Sequence, residues 1–297
     1  MAGKLDELLK AGEAGEVMEG YNYGFLDENS KREIRRKILK AVSIPGYQVP
    51  FGSREMPMAK GWGTGGLEIT LSIVGPGDTV KVIDQGCDES MNSSNIRRLV
   101  EQTTRVDTTV DTLEASIIQT RHRIPEEKLT EDQILVLQVP QPEPLRRVEP
   151  CEARTRSMHA EGDYNKMWLF LYENIVRFGD IMLGADYPVM VNKRYLMSPS
   201  PIPRWDVQKL NMGNCLYLFG AGREKRIYAV PPHTRVEPLE FEDYRFRIED
   251  FGDRACSLCG STDTYLDEVF DEQSGEKVYL CSDTSYCAKK CGGRGEQ

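Results

Sequence analysis

Five of the eight cysteines, Cys256, Cys259, Cys281, Cys287 and Cys291, fall within the last 42 residues. Cys256-x2-Cys259 is followed, after 21 residues, by Cys281-x5-Cys287. A C-x2-C turn aims two thiolates at one ion, and a distant second pair closes the site. In a reducing compartment such a cluster reads as metal binding rather than as a disulfide framework. Four thiolates make zinc the default metal, with an iron–sulfur cluster as the second reading. On the zinc reading Cys287 is the fourth ligand and Cys291 a spare thiol just beyond it; spacing alone leaves open which thiols bind and which stay free. The scattered Cys87, Cys151 and Cys215 are expected to be small buried hydrophobes.

A second chemistry is the gripping of anions. Arg121-His122-Arg123 and the stretch Gly220 to Arg226, with Arg223, Lys225 and Arg226, bring forked or flexible cations together with glycines. Arginine forks suit phosphate oxygens, and glycine lets the backbone approach them. Exposed charges paired with the abundant carboxylates would look the same. Gly61 to Gly66 fits G-x-G-x-x-G, but a dinucleotide turn needs a helix behind it, and here a strand is expected. A tight turn, or a nest of backbone amides around a phosphate, is the remaining reading. His122, His159 and His233 form no metal-binding pair, and there is no P-loop or G-x-S-x-G elbow.

These residues must be held by a fold that the pattern shows in part. Residues 27–43 carry Ile34, Ile38, Leu39 and Val42 at helical spacing, capped by Asp27 or Asn29 and stopped by Pro45-Gly46. A Gly- and Pro-rich loop, Pro45 to Thr64, follows. Strands are expected over 67–74, 79–84, 116–123, 134–139, 216–219 and 226–230. Helices are expected over 91–102, capped by Asn92 or Ser93, and over 162–184 between two Pro-rich stretches. The fold class is α+β: a mixed-sheet core with packed helices, an inserted helical segment and a small C-terminal cysteine-rich metal unit. The boundaries read as a charged extension over 1–20, in which Lys4 to Lys10 suits a short amphipathic helix, a core from 21–140 and 196–252, a helical insertion over 141–195, and the metal unit over 253–297. A unit that small needs a metal to hold it.

The net charge of −9 disfavours general affinity for nucleic acid or anionic membranes. No apolar run approaches a bilayer span and the first 20 residues are charged, so a cytoplasmic protein is expected.

Four longer motifs carry a resemblance. Ala41 to Gly52, Gln119 to Pro125, Gln138-Val139-Pro140 and Phe219 to Pro232, together with the cysteine spacing, are similar to the J-subunit family of bacterial carbon–phosphorus lyases. The likeness runs from about Gly20 to Tyr286. It implies action on α-D-ribose 1-methylphosphonate 5-phosphate, giving methane and ribose 1,2-cyclic phosphate 5-phosphate. It also implies a 4Fe–4S cluster on Cys256, Cys259 and Cys281 that reductively cleaves S-adenosyl-L-methionine, a glycyl radical on Gly46 and a thiyl radical on Cys287. The partners it implies are the G, H and I core subunits and ATP-binding-cassette subunits. From the residues alone, Gly46 is a turn glycine at a helix end. The other readings are a zinc-stabilised scaffold without catalysis and a phosphate-binding subunit. Resemblance and spacing together suggest that zinc takes all four thiols in aerobic preparations, whereas the working form holds iron–sulfur on three.

Overall fold

The computed structural model describes residues 4, 6, 28–47, 49–50, 64–84, 88, 90–121, 124–138, 189–195, 207–221, 226–238, 251–271 and 274–293. In chain order the elements are α1 (Glu28–Ser43), β1 (Val49–Pro50), α2 (Thr64–Ile73), β2 (Thr79–Ile83), α3 (Met91–Thr104), β3 (Asp107–Thr109), β4 (Ile117–Arg121), β5 (Ile134–Gln138), β6 (Val189–Val191), β7 (Arg194–Tyr195), α4 (Val207–Leu210), β8 (Leu216–Ala221), β9 (Arg226–Val230), β10 (Val236–Pro238), β11 (Leu266–Phe270), β12 (Lys277–Cys281) and α5 (Thr284–Gly292). The α+β class with a mixed sheet is observed. The expected helix over 162–184 lies outside the described residues, as do Cys87 and Cys151. Of the short helix expected over Lys4 to Lys10, Lys4 and Asp6 are described, and both are helical.

Seven strands form the main sheet in the order β1-β9-β8-β5-β4-β2-β3. The five from β8 to β3 are mutually parallel, while β9 runs antiparallel to both β8 and β1. The chain lays β3 on one side of β2 and then returns to lay β4 on the other. Such a reversal opens a crevice at the carboxyl ends of the strands, where open α/β sheets take ligands. Three of those ends here are Ile83, Arg121 and Gln138.

Both faces of the sheet are apolar. Val80, Val82, Ile117, Ile134, Val136, Leu216 and Leu218 join Ile34, Ile38, Leu67, Ile96 and Val100 in one buried cluster beneath α1, α2 and α3. The opposite face packs Ile118, Leu135, Leu137, Tyr217, Phe219 and Tyr228 against Ile124, Leu129, Val191, Leu210 and Val236. A small sheet, β10-β6-β7, lies on that side and pairs Val191 with Val236. It ties the last residues of the expected insertion to the core.

The strand expected over 67–74 is instead α2. Its residues from Gly65 to Ile73 are buried all round, and a helix buried on every side shows no helical stripe to read. Its β-branched residues point to a strand, and tertiary packing overrides that propensity. A helix, not a strand, thus stands behind the glycines of the G-x-G-x-x-G stretch, contrary to the expectation. The cap of α3 is Ser90 rather than Asn92 or Ser93. Its Oγ accepts the Ser93 N–H at 3.0 Å.

Candidate metal centre

The cysteine-rich unit begins with a turn. Cys256 N–H donates to the Ser261 carbonyl at 2.9 Å, and Gly260 N–H returns to the Cys256 carbonyl at 2.8 Å. Gly260 holds φ +72°, a conformation open to glycine. This turn brings Cys256 and Cys259 together. The hairpin β11–β12 pairs Leu266 with Cys281 and sets the third thiol beside them. The fourth comes from α5, whose cap Asp283 accepts the Tyr286 N–H.

All four sulfur atoms lie within 4.8 Å of one another, and all four residues are buried. Cys256 Sγ is 3.7 Å from Cys287 Sγ, and Cys259 Sγ is 3.4 Å from Cys281 Sγ. Sulfurs at the corners of a zinc tetrahedron stand about 3.8 Å apart. The cage therefore fits one ion held by four thiolates. A cubane binds its cysteines through separate iron atoms, so it needs thiolates spread more widely than these. Cys291, one turn beyond Cys287 on α5, is exposed and lies outside the four. Cys215 is buried, as expected.

The thiols are not equivalent. Burial pushes Cys256 up, but the backbone N–H groups of Cys259, Cys281 and Leu258 outweigh it and hold the thiol down to about 6. Burial likewise opposes Cys259, yet bonds to Ser261 bring it below the usual value. Burial takes Cys281 up to about 12, and it also raises Cys287, beside Cys256 and Cys259. The C-x2-C pair thus offers thiolates first. The other two release their protons when a cation arrives to share the charge.

The unit has its own core, Cys256, Cys259, Leu266, Cys281 and Cys287 backed by Phe251, Tyr279 and Leu280. Its described contacts with the sheet are polar. Buried Lys81 of β2 donates to the Val110 carbonyl at 2.7 Å, pairs with Asp88 at 3.1 Å and reaches Ser285 Oγ of α5 at 3.3 Å. Lys289 pairs with Asp111 at 2.8 Å and Glu127 at 2.6 Å. Glu126 accepts the Tyr265 N–H at 3.0 Å, pairs with Lys209, and donates its own N–H to Asp283 at 3.2 Å.

Among the other site residues, Arg121 ends β4 and binds Asp84 through two nitrogens, Nη2 reaching Oδ2 at 3.0 Å. This pair sits at the reversal of strand order. Arg226 starts β9 and is exposed. His122, Arg223 and Lys225 lie outside the described residues. Gly46 ends the turn after α1 with φ +78°, and a Cβ there would meet Val191 Cβ at 3.2 Å. It stands by β1, at the edge of the sheet opposite β3. Since β1 and β2 are five strand spacings apart, roughly 24 Å separates Gly46's edge from the strand beneath α5. The structure gathers the four cysteines and does not bring Gly46 to them.

Sequence reasoning missed Asp283, Glu126, Lys81 and Asp84. The signals were present in part. Asp283 precedes a short helical run, and Lys81 interrupts an apolar strand.

Among the described residues no helix is long and apolar enough to cross a membrane. The family described as "Phosphonate metabolism protein PhnJ" matches residues 19–292. A relative from Escherichia coli (strain K12), named alpha-D-ribose 1-methylphosphonate 5-phosphate C-P lyase, is 57% identical over 273 residues, covering 92% of this chain and 97% of the relative. One of the same name from Rhizobium meliloti (strain 1021) is 56% identical over 267 residues, 90% of each. With nearly the whole length matched, the chain belongs to the PhnJ family of phosphonate metabolism proteins.

Proposed function

We propose that this chain is a carbon–phosphorus lyase of phosphonate catabolism, acting on α-D-ribose 1-methylphosphonate 5-phosphate. The observation that carries the reading is a buried four-thiol cage in a chain 57% identical to a relative of that name. A methyl anion is too poor a leaving group for polar displacement at phosphorus, so one-electron chemistry is required. Cys256, Cys259 and Cys281 are the residues to hold an iron–sulfur cluster, which when bound supplies the electron that cleaves S-adenosyl-L-methionine. The observed sulfur spacing suits a single ion, so loading a cluster on three thiols requires the cage to open. Opening it releases Cys287.

Gly46 stores the radical. Without a side chain its α-carbon can flatten and delocalise the spin. Cys287 is the attacking atom: its weak S–H bond gives a hydrogen atom to the Gly46 radical, and the sulfur radical bonds to phosphorus as the P–C bond breaks and a methyl radical leaves. The methyl radical takes a hydrogen atom back from Gly46 to become methane, which restores the glycyl radical. The ribose 2-hydroxyl then closes the cyclic phosphate and frees the thiol. Because Gly46 and Cys287 stand apart, the reading includes a change of position between storage of the radical and attack. Arg121 and Arg226, with His122, Arg223 and Lys225, are the candidates for holding the two phosphate groups. Arg121 would have to share its fork with Asp84. Other core subunits and ATP-binding-cassette subunits are the proposed partners, in the cytoplasm.

The test is 5′-deoxyadenosine formation by the chain reconstituted anaerobically with iron and sulfide, given S-adenosyl-L-methionine and dithionite, with Cys256→Ala as control. Product that vanishes in the control supports the reading. Full activity from protein holding zinc alone would sink the iron–sulfur assignment.

A further inference from the structure

The helix that carries Cys287 is fixed at its first turn by one carboxylate with two separate tasks. Asp283 is 3% exposed. Its Oδ1 accepts the Tyr286 N–H and the Ser285 hydroxyl, each at 3.0 Å, and so caps α5. Its Oδ2 accepts the Glu126 N–H at 3.2 Å. Glu126 lies five residues beyond Arg121, on the segment leaving β4, and its carboxylate accepts the Tyr265 N–H at 3.0 Å. Thus two reciprocal bonds join the segment that follows Arg121-His122-Arg123 to the unit that carries the cysteines. Ser285 and Lys289, one turn apart on α5, reach Lys81, Asp111 and Glu127 of the sheet side. Cys287, between them in sequence, meets Cys256.

No apolar cluster spans this junction among the described residues. An interface made of polar contacts owes its register to individual hydrogen bonds. The geometry points to Asp283 as a positioning residue. Through its Oδ2 it sets Cys287 beside the segment carrying the phosphate-binding candidates, while through its Oδ1 it caps the helix. This inference rests on the reading of Cys287 as the reacting thiol.

The two tasks separate in one substitution. Asp283→Asn keeps one acceptor oxygen. Turned to satisfy Tyr286 and Ser285, it presents an NH2 group to the Glu126 N–H, donor against donor. The cap and the four cysteines remain. Asp283→Ser, which keeps a capping hydroxyl and drops the second oxygen, repeats the test without the added donor. In the assembled, reconstituted complex both variants are expected to bind metal and form 5′-deoxyadenosine as the parent does, while methane falls at least tenfold. The ratio of 5′-deoxyadenosine to methane rises accordingly. Loss of the metal site alone would lower both products together and leave the ratio unchanged. Amide exchange over 124–127 and 284–292 in the zinc-loaded chain is expected to quicken in both variants. An unchanged ratio, unchanged exchange, or a gain in methane overturns the proposal. If the parent complex itself makes no methane, the functional reading fails, and the exchange result still decides whether Asp283 holds the junction.

Discussion

Gly46 combines φ +78° with a neighbour 3.2 Å from where a Cβ would stand. An L-residue in that conformation costs about 1–2 kcal/mol. Gly46→Ala is therefore expected to lower the denaturant midpoint as well as turnover, so loss of activity alone does not identify a radical. Protein grown on α-deuterated glycine does: the electron-spin resonance doublet of a glycyl radical collapses when its α-proton is replaced, and an unaltered doublet would place the spin elsewhere. Asp283 offers a second reading at this scale. Burial works against its charge, but the N–H groups of Tyr286 and Glu126, aided by Lys81, hold it below its ordinary value of 3.8. A carboxyl depressed on folding contributes stability that is present above the unfolded value and lost as pH falls through the folded one. Exchange protection of 284–292 should therefore persist at pH 5 and fail in acid below the usual carboxylate range. In Asp283→Ser that acid-linked loss should be smaller.

At the scale of elements, α2 is the piece that the close approach of backbones allows. A Cβ on Gly220 would lie 2.5 Å from the Gly65 carbonyl oxygen, and one on Gly66 would lie 2.7 Å from Gln138 Cβ. Gly220→Ala must push the start of α2 off the sheet, and overpacking of this kind costs about 1–3 kcal/mol. Ser90→Ala, by contrast, loses one cap bond of α3, worth about 1 kcal/mol. Urea titrations of the two variants should rank them in that order, with no change in metal content. Equal midpoints for Gly220→Ala and the parent would mean that the contact between α2 and β8 is loose.

For the whole molecule, the cysteine unit and the sheet have separate cores joined by charges. Chelation of the metal is expected to remove exchange protection from 251–293 while β4, β5 and β8 keep theirs, because metal binding is folding free energy for so small a unit. Simultaneous loss in both would show one cooperative body. Lys81 is the costly member of the junction. It is fully buried, and burial keeps Asp88 raised even with the ammonium beside it. Lys81→Met leaves that carboxylate buried without its partner, a change that typically costs about 3–5 kcal/mol. A thermal melt unchanged by this substitution would show that the pair is solvated in solution.

The cysteine spacing, the stripe of α1, the short apolar runs of β4 and β5 and the Arg226–Val230 strand were legible because each is a local pattern of composition, period or ligand geometry. Spacing suggested a four-thiol site but did not choose between Cys287 and Cys291; the fold gathers Cys287 with Cys256, Cys259 and Cys281 and leaves Cys291 exposed. The tertiary structure decided the rest. It made 64–73 a helix, because complete burial erased the periodicity that distinguishes helix from strand. It turned Arg121 onto Asp84, a residue 37 positions away, and placed Lys81, Glu126 and Asp283 at one junction. It also set Gly46 in the turn before the β1 edge and Cys287 on a helix of the cysteine unit, which meets the sheet at β2. Contacts of that kind depend on strand order, and strand order is fixed by how distant segments share a core, which no window of sequence contains.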